Sequence, residues 1–259
     1  MAQSLVITLI QPAIIWEDKA ANLTQYSRLI EDIKEKKEVV ILPEMFSTGF
    51  SMAPERLAES MDGDTVQWMA ATAAKHRIIL TGSLIIEDEG KYYNRLIWMQ
   101  PDGRHYHYDK RHLFGYSQED QHYQAGAKKL IVQVKGWKIC PLVCYDLRFP
   151  VWARNVGGEY DVLLYVANWP QRRSLAWKTL LQARAIENQA YCIGVNRVGE
   201  DGAGIVYSGD SAVFDPLGNA LLAPVTEAGV YTITLEKEPL LEARSHFPFL
   251  KDADQFVLL

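Results

Sequence analysis

Apolar residues change their period several times along the chain, and each change predicts an element. Residues 5–14 (LVITLIQPAI) form a nearly continuous apolar run rich in branched side chains, which predicts a buried strand. Leu23, Tyr26, Ile30 and Ile33 follow at spacings of three, four and three, one face of a helix with charge on the other side. Residues 39–45 (VVILPEM) predict a second buried strand. Val66, Met69 and Ala73 mark a second amphipathic helix that ends at Lys75, His76 and Arg77. Residues 78–86 predict a strand, and residues 92–99 and 105–108 a hairpin across the turn sequence QPDGR. Strands are further predicted at 137–145, 161–167, 191–198, 211–214 and 230–235, with a short helix at 148–156. The clearest helix is 174–189, with Ser174 as its expected N-cap. The end, FPFLKDADQFVLL, has no clear period and is expected to be an arm.

Strand and helix patterns alternate, with a hairpin in the middle and antiparallel-looking strands late. This predicts an α/β chain with a mostly mixed sheet covered by helices. There is no fixed-period repeat, low-complexity run or linker-like segment, so one domain over 1–259 is expected. The composition adds constraints. A 48% hydrophobic content suffices for a sizeable core. The formal net charge of −5, with scattered basic residues, argues against a nucleic-acid partner, which needs a concentrated basic surface. The start lacks the charged and apolar regions of a signal peptide, and no apolar run is long enough to span a bilayer. Three cysteines are too few for a disulfide framework. A cytoplasmic protein with reduced thiols and no membrane partner is expected.

In open α/β sheets, sites lie beyond the carboxyl ends of strands. Three reactive residues are predicted there: Glu44 after 39–43, Lys110 after 105–109, and Cys144 after 137–143, directly before a helix. Each alone is ordinary, a loop charge or a small buried thiol. Together they are complementary. A thiol attacks as thiolate, and a nearby cation lowers its pKa. A carboxylate takes and returns the proton, and an ammonium stabilises an oxyanion. The turn at Cys144 adds the Tyr145 backbone N–H as a second donor and the favourable end of a helix dipole. Lys110 and the helix start are therefore expected to depress the Cys144 pKa, making it more reactive than Cys140 or Cys192, which read as core residues. Zinc at Cys140 and Cys144 lacks a second ligand pair. A Cys144–His112 dyad is the rival arrangement.

The stretches VVILPEMFSTGF, YDKRHLF and CYDLRFPVWAR, in that order, resemble the Glu, Lys and Cys motifs of the nitrilase, or carbon–nitrogen hydrolase, superfamily. The resemblance runs from ITLIQ to SGDSAVFDPLG and the final strand. It implies a four-layer αββα sandwich with mixed sheets, pairing with a second subunit as a homodimer or higher homo-oligomer. It also implies Glu44 as general base, Lys110 as oxyanion stabiliser and Cys144 as nucleophile. A second glutamate is implied seven residues before Gly126, which makes it Glu119, with Asp120 adjacent. No metal or organic cofactor is required.

Within the family, EMFSTGFSM, KRHLF and CYDLRFPVWARN look most like the omega-amidase branch, which removes the terminal amide of 2-oxoglutaramate and 2-oxosuccinamate. Such a substrate carries a carboxylate, and Arg172 or Arg173 in NWPQRRSLAW is the expected partner. Phe50, Met52, Tyr116 and Trp169 are candidate walls of a small apolar pocket. The alternatives are an amidase or carbamoylase for another small amide or ureido acid, a cysteine peptidase, and a non-enzymatic binding protein on the same fold.

Overall fold

The apolar run at the start of the chain becomes β1 (Ser4–Gln11), the second strand of a six-stranded sheet. The computed structural model describes residues 4–254 and 256–258. Met1 to Gln3, part of the reading of the chain's start, lie outside the described residues, as do Gln255 and Leu259 of the expected arm. The first sheet also holds β2 (Val39–Ile41), β3 (Ile79–Asp88), β4 (Lys91–Met99) and β5 (His105–Asp109). Strands β6 (Val132–Val134), β7 (Trp137–Val143), β8 (Val162–Val166) and β9 (Tyr191–Val195) belong to a second sheet. A ribbon of β10 (Val198–Glu200) and β11 (Val206–Ser208) follows, then β12 (Ser211–Phe214) and β13 (Ala220–Val225), which complete the second sheet. Finally β14 (Gly229–Glu236) returns to pair antiparallel with β1. The spatial orders are β14-β1-β2-β3-β4-β5 and β13-β12-β9-β8-β7-β6. Both sheets are mixed: β1-β2-β3 and β7-β8-β9 are parallel, and the flanking pairs are antiparallel.

The strand period of two explains the layers. On β2, Val39 and Ile41 join Leu5, Ile7 and Leu9 in a core shared with the second sheet. Val40 and Leu42 face the opposite way, onto Tyr26 and Ile30 of helix Lys19–Asp32 and Val66, Met69 and Ala73 of helix Asp64–His76. The central core continues through the second sheet to Trp177, Leu181 and Ala185 of helix Ser174–Asn188. That helix sits tightly on β9: a Cβ on Gly194 would stand 2.4 Å from Leu181 Cδ1. The result is the expected order of helix, sheet, sheet, helix.

Local differences have local causes. The strand expected over 39–45 stops at Ile41, as the chain turns at Pro43 into Met45, whose φ is +43°. The strand expected over 137–145 ends at Val143, because Cys144 itself takes φ +44° and opens a 3₁₀ turn, Cys144–Arg148. The helix expected over 148–156 is reduced to Pro150–Ala153. Ser174 is not an N-cap. Arg173 holds that position without a side-chain cap, and the Ser174 hydroxyl donates instead to Asp210 Oδ2 at 2.7 Å. A helix at Lys237–His246 has no counterpart in the sequence reading.

Candidate active site

The carboxyl ends of strands from both sheets meet at one cleft. The first sheet sends in Glu44 past β2 and Lys110 past β5, and the second sends in Cys144 past β7 and Asn168 past β8. Two of these placements, and that of Glu119, depend on left-handed backbone at non-glycine residues: Met45 beside Glu44, Cys144 itself, and Gln118 (φ +61°) beside Glu119. Such conformations are held by their surroundings. The Met45 N–H, for example, donates to Ser83 Oγ at 2.9 Å.

Lys110 Nζ donates to Glu44 Oε1 at 2.9 Å and to Glu119 Oε1 and Oε2 at 3.0 and 2.8 Å. Asn94 Nδ2, from the middle of β4, bridges the same two carboxylates at 2.8 and 3.1 Å. Each carboxylate also accepts a backbone N–H on its Oε2. Glu44 Oε2 accepts the Asn168 N–H at 2.8 Å, and Glu119 Oε2 accepts the Phe114 N–H at 2.6 Å. The side chains of Lys110, Glu44 and Glu119 are fully buried. An unpaired ion there would cost several kcal/mol, so the cluster is stable only as a set. Asp120, the neighbour of Glu119, is exposed and outside it. The Lys110 loop is itself wedged in place. The Gly126 N–H donates to Lys110 O at 2.9 Å, and a Cβ on Gly126 would stand 2.1 Å from Asp109 O.

The thiol does not behave as a lone neighbouring cation predicts. Burial pushes the Cys144 pKa well above the ordinary thiol range, and the Glu44 carboxylate adds to the rise. Lys110 pulls the other way and is outweighed. The expected depression is thus corrected: one ammonium stands among two carboxylates in a dry site, so the resting form is the thiol. Burial works against the Lys110 ammonium too, but Glu119 and Glu44 hold its pKa above the usual lysine value. Burial raises Glu119, partly opposed by Lys110. Cys140 is pushed up to about 12, chiefly by burial in the apolar core. The rival partner His112 is engaged elsewhere: its Nδ1 lies 2.8 Å from Asp146 Oδ1 and its ring stacks on Phe149. Among the described residues no three His, Cys, Asp or Glu side chains are grouped to hold a metal ion.

Above Lys110 and Cys144 the cleft encloses about 470 Å³ of empty space, its open mouth included. Of the residues expected around it, Phe50, Tyr145, Trp169, Arg172 and Arg173 line it. Met52 and Tyr116 do not. Met52 packs into a small cluster with Met45, Leu57, Ile85 and Tyr123, because the chain turns inward at Ser51, whose carbonyl accepts the Tyr123 hydroxyl. Tyr116 sits on the 3₁₀ turn Gly115–Ser117, 77% exposed, with its ring 5.8 Å from the Arg172 guanidinium. Lining residues that the sequence reading missed include Phe114, Arg148, Asn168 and Tyr207. Arg148 had a signal, its place four residues after Cys144 inside a quoted motif. Tyr207 had none, since β11 is short and its neighbour Val206 is exposed. Arg148 lies over the Trp169 ring at 4.9 Å and Arg173 over Phe114 at 4.9 Å. Burial, then the like charge of Arg172, lowers the Arg173 pKa. Among the described residues, no carboxylate pairs with Arg148, Arg172 or Arg173.

Comparison with known proteins gives this arrangement a context. Residues 6–242 match the model of the carbon–nitrogen hydrolases. The chain is 47% identical over 255 residues to omega-amidase YafV of Escherichia coli (strain K12), covering 98% of each chain. It is 32% identical to the 2-oxoglutaramate amidase of Bacillus subtilis (strain 168), covering 95% of this chain and 96% of the other. Among solved structures, a CN-hydrolase superfamily protein of Xanthomonas campestris, crystallised with an arsenic adduct in its active site, superposes with a TM-score of 0.96 at 46% identity. That alignment covers 98% of this chain and 99% of the other.

Proposed function

This chain belongs to the carbon–nitrogen hydrolase family and is an amidase-type enzyme; we propose that it cleaves the terminal amide of small 2-oxo dicarboxylic acid monoamides, 2-oxoglutaramate and 2-oxosuccinamate, to ammonia and the acid. The reaction runs through a cysteinyl thioester. Glu44 takes the Cys144 proton as the sulfur attacks the amide carbonyl, so no standing thiolate is needed. The Lys110 ammonium and the Tyr145 N–H hold the tetrahedral oxyanion. Glu44 returns the proton to the departing nitrogen, which leaves as ammonia. Water then attacks the thioester with Glu44 again as base, and collapse restores the thiol and releases the acid. Glu119 keeps Lys110 charged and aimed, while Asn94 and the Asn168 N–H fix both oxygens of Glu44.

The observation that carries the substrate reading is the trio Arg148, Arg172 and Arg173, guanidiniums without a carboxylate partner among the described residues, beside the cleft that holds Cys144. A carboxylate-bearing amide supplies the missing partner. A ureido acid offers the same carboxylate and is the second reading. Ammonia release from 2-oxoglutaramate, 2-oxosuccinamate, ureido acids and neutral amides of equal length tests both. The 2-oxo amides are expected to be hydrolysed fastest, with Cys144→Ser inactive and folded. A preference for neutral amides would remove the substrate reading, and an active Cys144→Ser would remove the mechanism.

We also propose a cytoplasmic homodimer. Among the described residues no helix is long and apolar enough to cross a membrane. Leu175 and Ile186 of helix Ser174–Asn188 are 78% and 49% exposed, an apolar face suited to a second copy. Light scattering at micromolar concentration would refute this with a clean monomer mass.

A further inference from the structure

One buried carboxylate outside the catalytic cluster ties together the two segments that carry Lys110 and Cys144. Asp146 is fully buried, two residues past Cys144. Its Oδ1 accepts the His112 N–H at 3.0 Å and faces His112 Nδ1 at 2.8 Å. Its Oδ2 accepts the Tyr108 hydroxyl at 2.8 Å and the Val143 N–H at 3.0 Å. Tyr108 precedes Lys110 by two residues and His112 follows it by two, so both flanks of Lys110 converge on one side chain. Val143 and Asp146 likewise bracket Cys144. Tyr108 is the penultimate residue of a strand of the first sheet, and Val143 ends a strand of the second.

The surroundings fix these bonds. The Tyr108 hydroxyl accepts from Trp152 Nε1 at 3.0 Å and from the Arg111 N–H at 3.3 Å, so its own hydrogen is left for Asp146. Burial and the Asp146 charge raise the Tyr108 pKa, which keeps that hydrogen in place. The His112 ring is stacked on Phe149 at 3.7 Å between centroids, with 5° between planes. The Val143 bond alone would make Asp146 a cap of the turn at Cys144. The three contacts to Tyr108 and His112 are unnecessary for a cap and reach the opposite sheet.

We propose that Asp146 is a positioning residue: through Tyr108 and His112 it sets where the Lys110 ammonium stands relative to the Cys144 sulfur. The role lies in the distance between oxyanion donor and nucleophile, and an error of about 1 Å in such a distance can cost as much as a hundredfold in rate. It rests on the roles proposed above for Lys110 and Cys144.

The test uses variants that leave the Val143 bond intact. Tyr108→Phe removes the hydroxyl, and His112→Leu removes the ring nitrogen while keeping apolar bulk against Phe149. Each is expected to lower kcat about tenfold with KM changed less than about twofold, since neither Tyr108 nor His112 lines the cleft. His112→Asn, which restores an N–H near the Nδ1 position, is expected to recover kcat to within about threefold of the parent. Alkylation of Cys144 by iodoacetamide, which forms no oxyanion, should stay within about twofold in every variant. Unchanged kcat in both Tyr108→Phe and His112→Leu overturns the proposal, and so does a parallel fall of kcat and alkylation, which would mean that the turn at Cys144 had loosened. If His112→Leu does not fold, Tyr108→Phe and His112→Asn carry the same comparison. An inactive Cys144→Ser beside undiminished clamp variants sinks only the clamp; an active Cys144→Ser sinks the mechanism with it.

Discussion

At the inner end of the pocket the Lys110 ammonium has carboxylate oxygens at 2.8, 2.9 and 3.0 Å, whereas at the outer end Arg148, Arg172 and Arg173 have none among the described residues and lie over aromatic rings. The difference follows from water. Where water is excluded, a charge must be paired by the protein itself, or the folded state bears its desolvation. Where water reaches, a guanidinium is solvated and can stay unpaired until a ligand arrives. The inner cluster therefore gives geometry that is fixed in advance, and the outer trio gives recognition.

Removing the inner cation should do the most damage. Lys110→Met leaves Glu44 and Glu119 facing each other, buried, with the ammonium gone. We expect kcat to fall by about 10²–10³ from the lost oxyanion donor, and stability to drop by about 3–5 kcal/mol. Urea denaturation alongside turnover checks both; a stable Lys110→Met would mean that the inner end is wetter than its burial indicates. Arg173→Ala tests the outer end. It should lower kcat/KM about ten- to a hundredfold for the acid amide, hardly affect a neutral amide, and leave stability within about 0.5 kcal/mol. Equal losses on both substrates would make Arg173 a packing residue.

The smallest effect is alkaline. The folded Cys144 pKa lies above its unfolded value, so the thiol's contribution to stability is complete below about pH 8.5 and is lost as pH rises toward the folded pKa. Above that pH, Cys144→Ala should lose stability less steeply than the parent, by about 1.4 kcal/mol per pH unit. Over pH 7.5–9, kcat/KM should not climb with a thiolate titration. A climb there would mean that the ammonium, rather than dryness, governs the sulfur.

Much of the frame was legible in the sequence because β1 and β2 are buried on both faces and read as nearly continuous apolar runs. The ribbon β10–β11 is short, and strand β13 has no buried residue, so they carry no such signature. Helix Lys237–His246 carries Pro239 in its first turn, where proline is tolerated although it breaks a helix interior, so the residue gives no clear helix signal. In the site, Glu44, Lys110 and Cys144 stand out because they follow strands. Asn94 does not, because a polar residue in mid-strand reads as a solvent-facing position; only the fold turns it toward two carboxylates. The thiol's state was misjudged for a related reason: the sequence offers a lysine as neighbour but does not show how completely the thiol is buried, nor that the two glutamates bind that lysine directly.

The unpaired arginines also matter before any contact is made. The chain carries a formal net charge of −5, so an anionic substrate approaching from most directions is repelled. Around this one cleft the sign reverses, and its low-dielectric walls concentrate the field along its axis. Such a gate shapes encounter as well as grip. Its pull extends only about a Debye length, roughly 8 Å at physiological ionic strength, so the rate of capture of a small anion should decline as salt is added, while hydrolysis of what is already bound goes on unchanged.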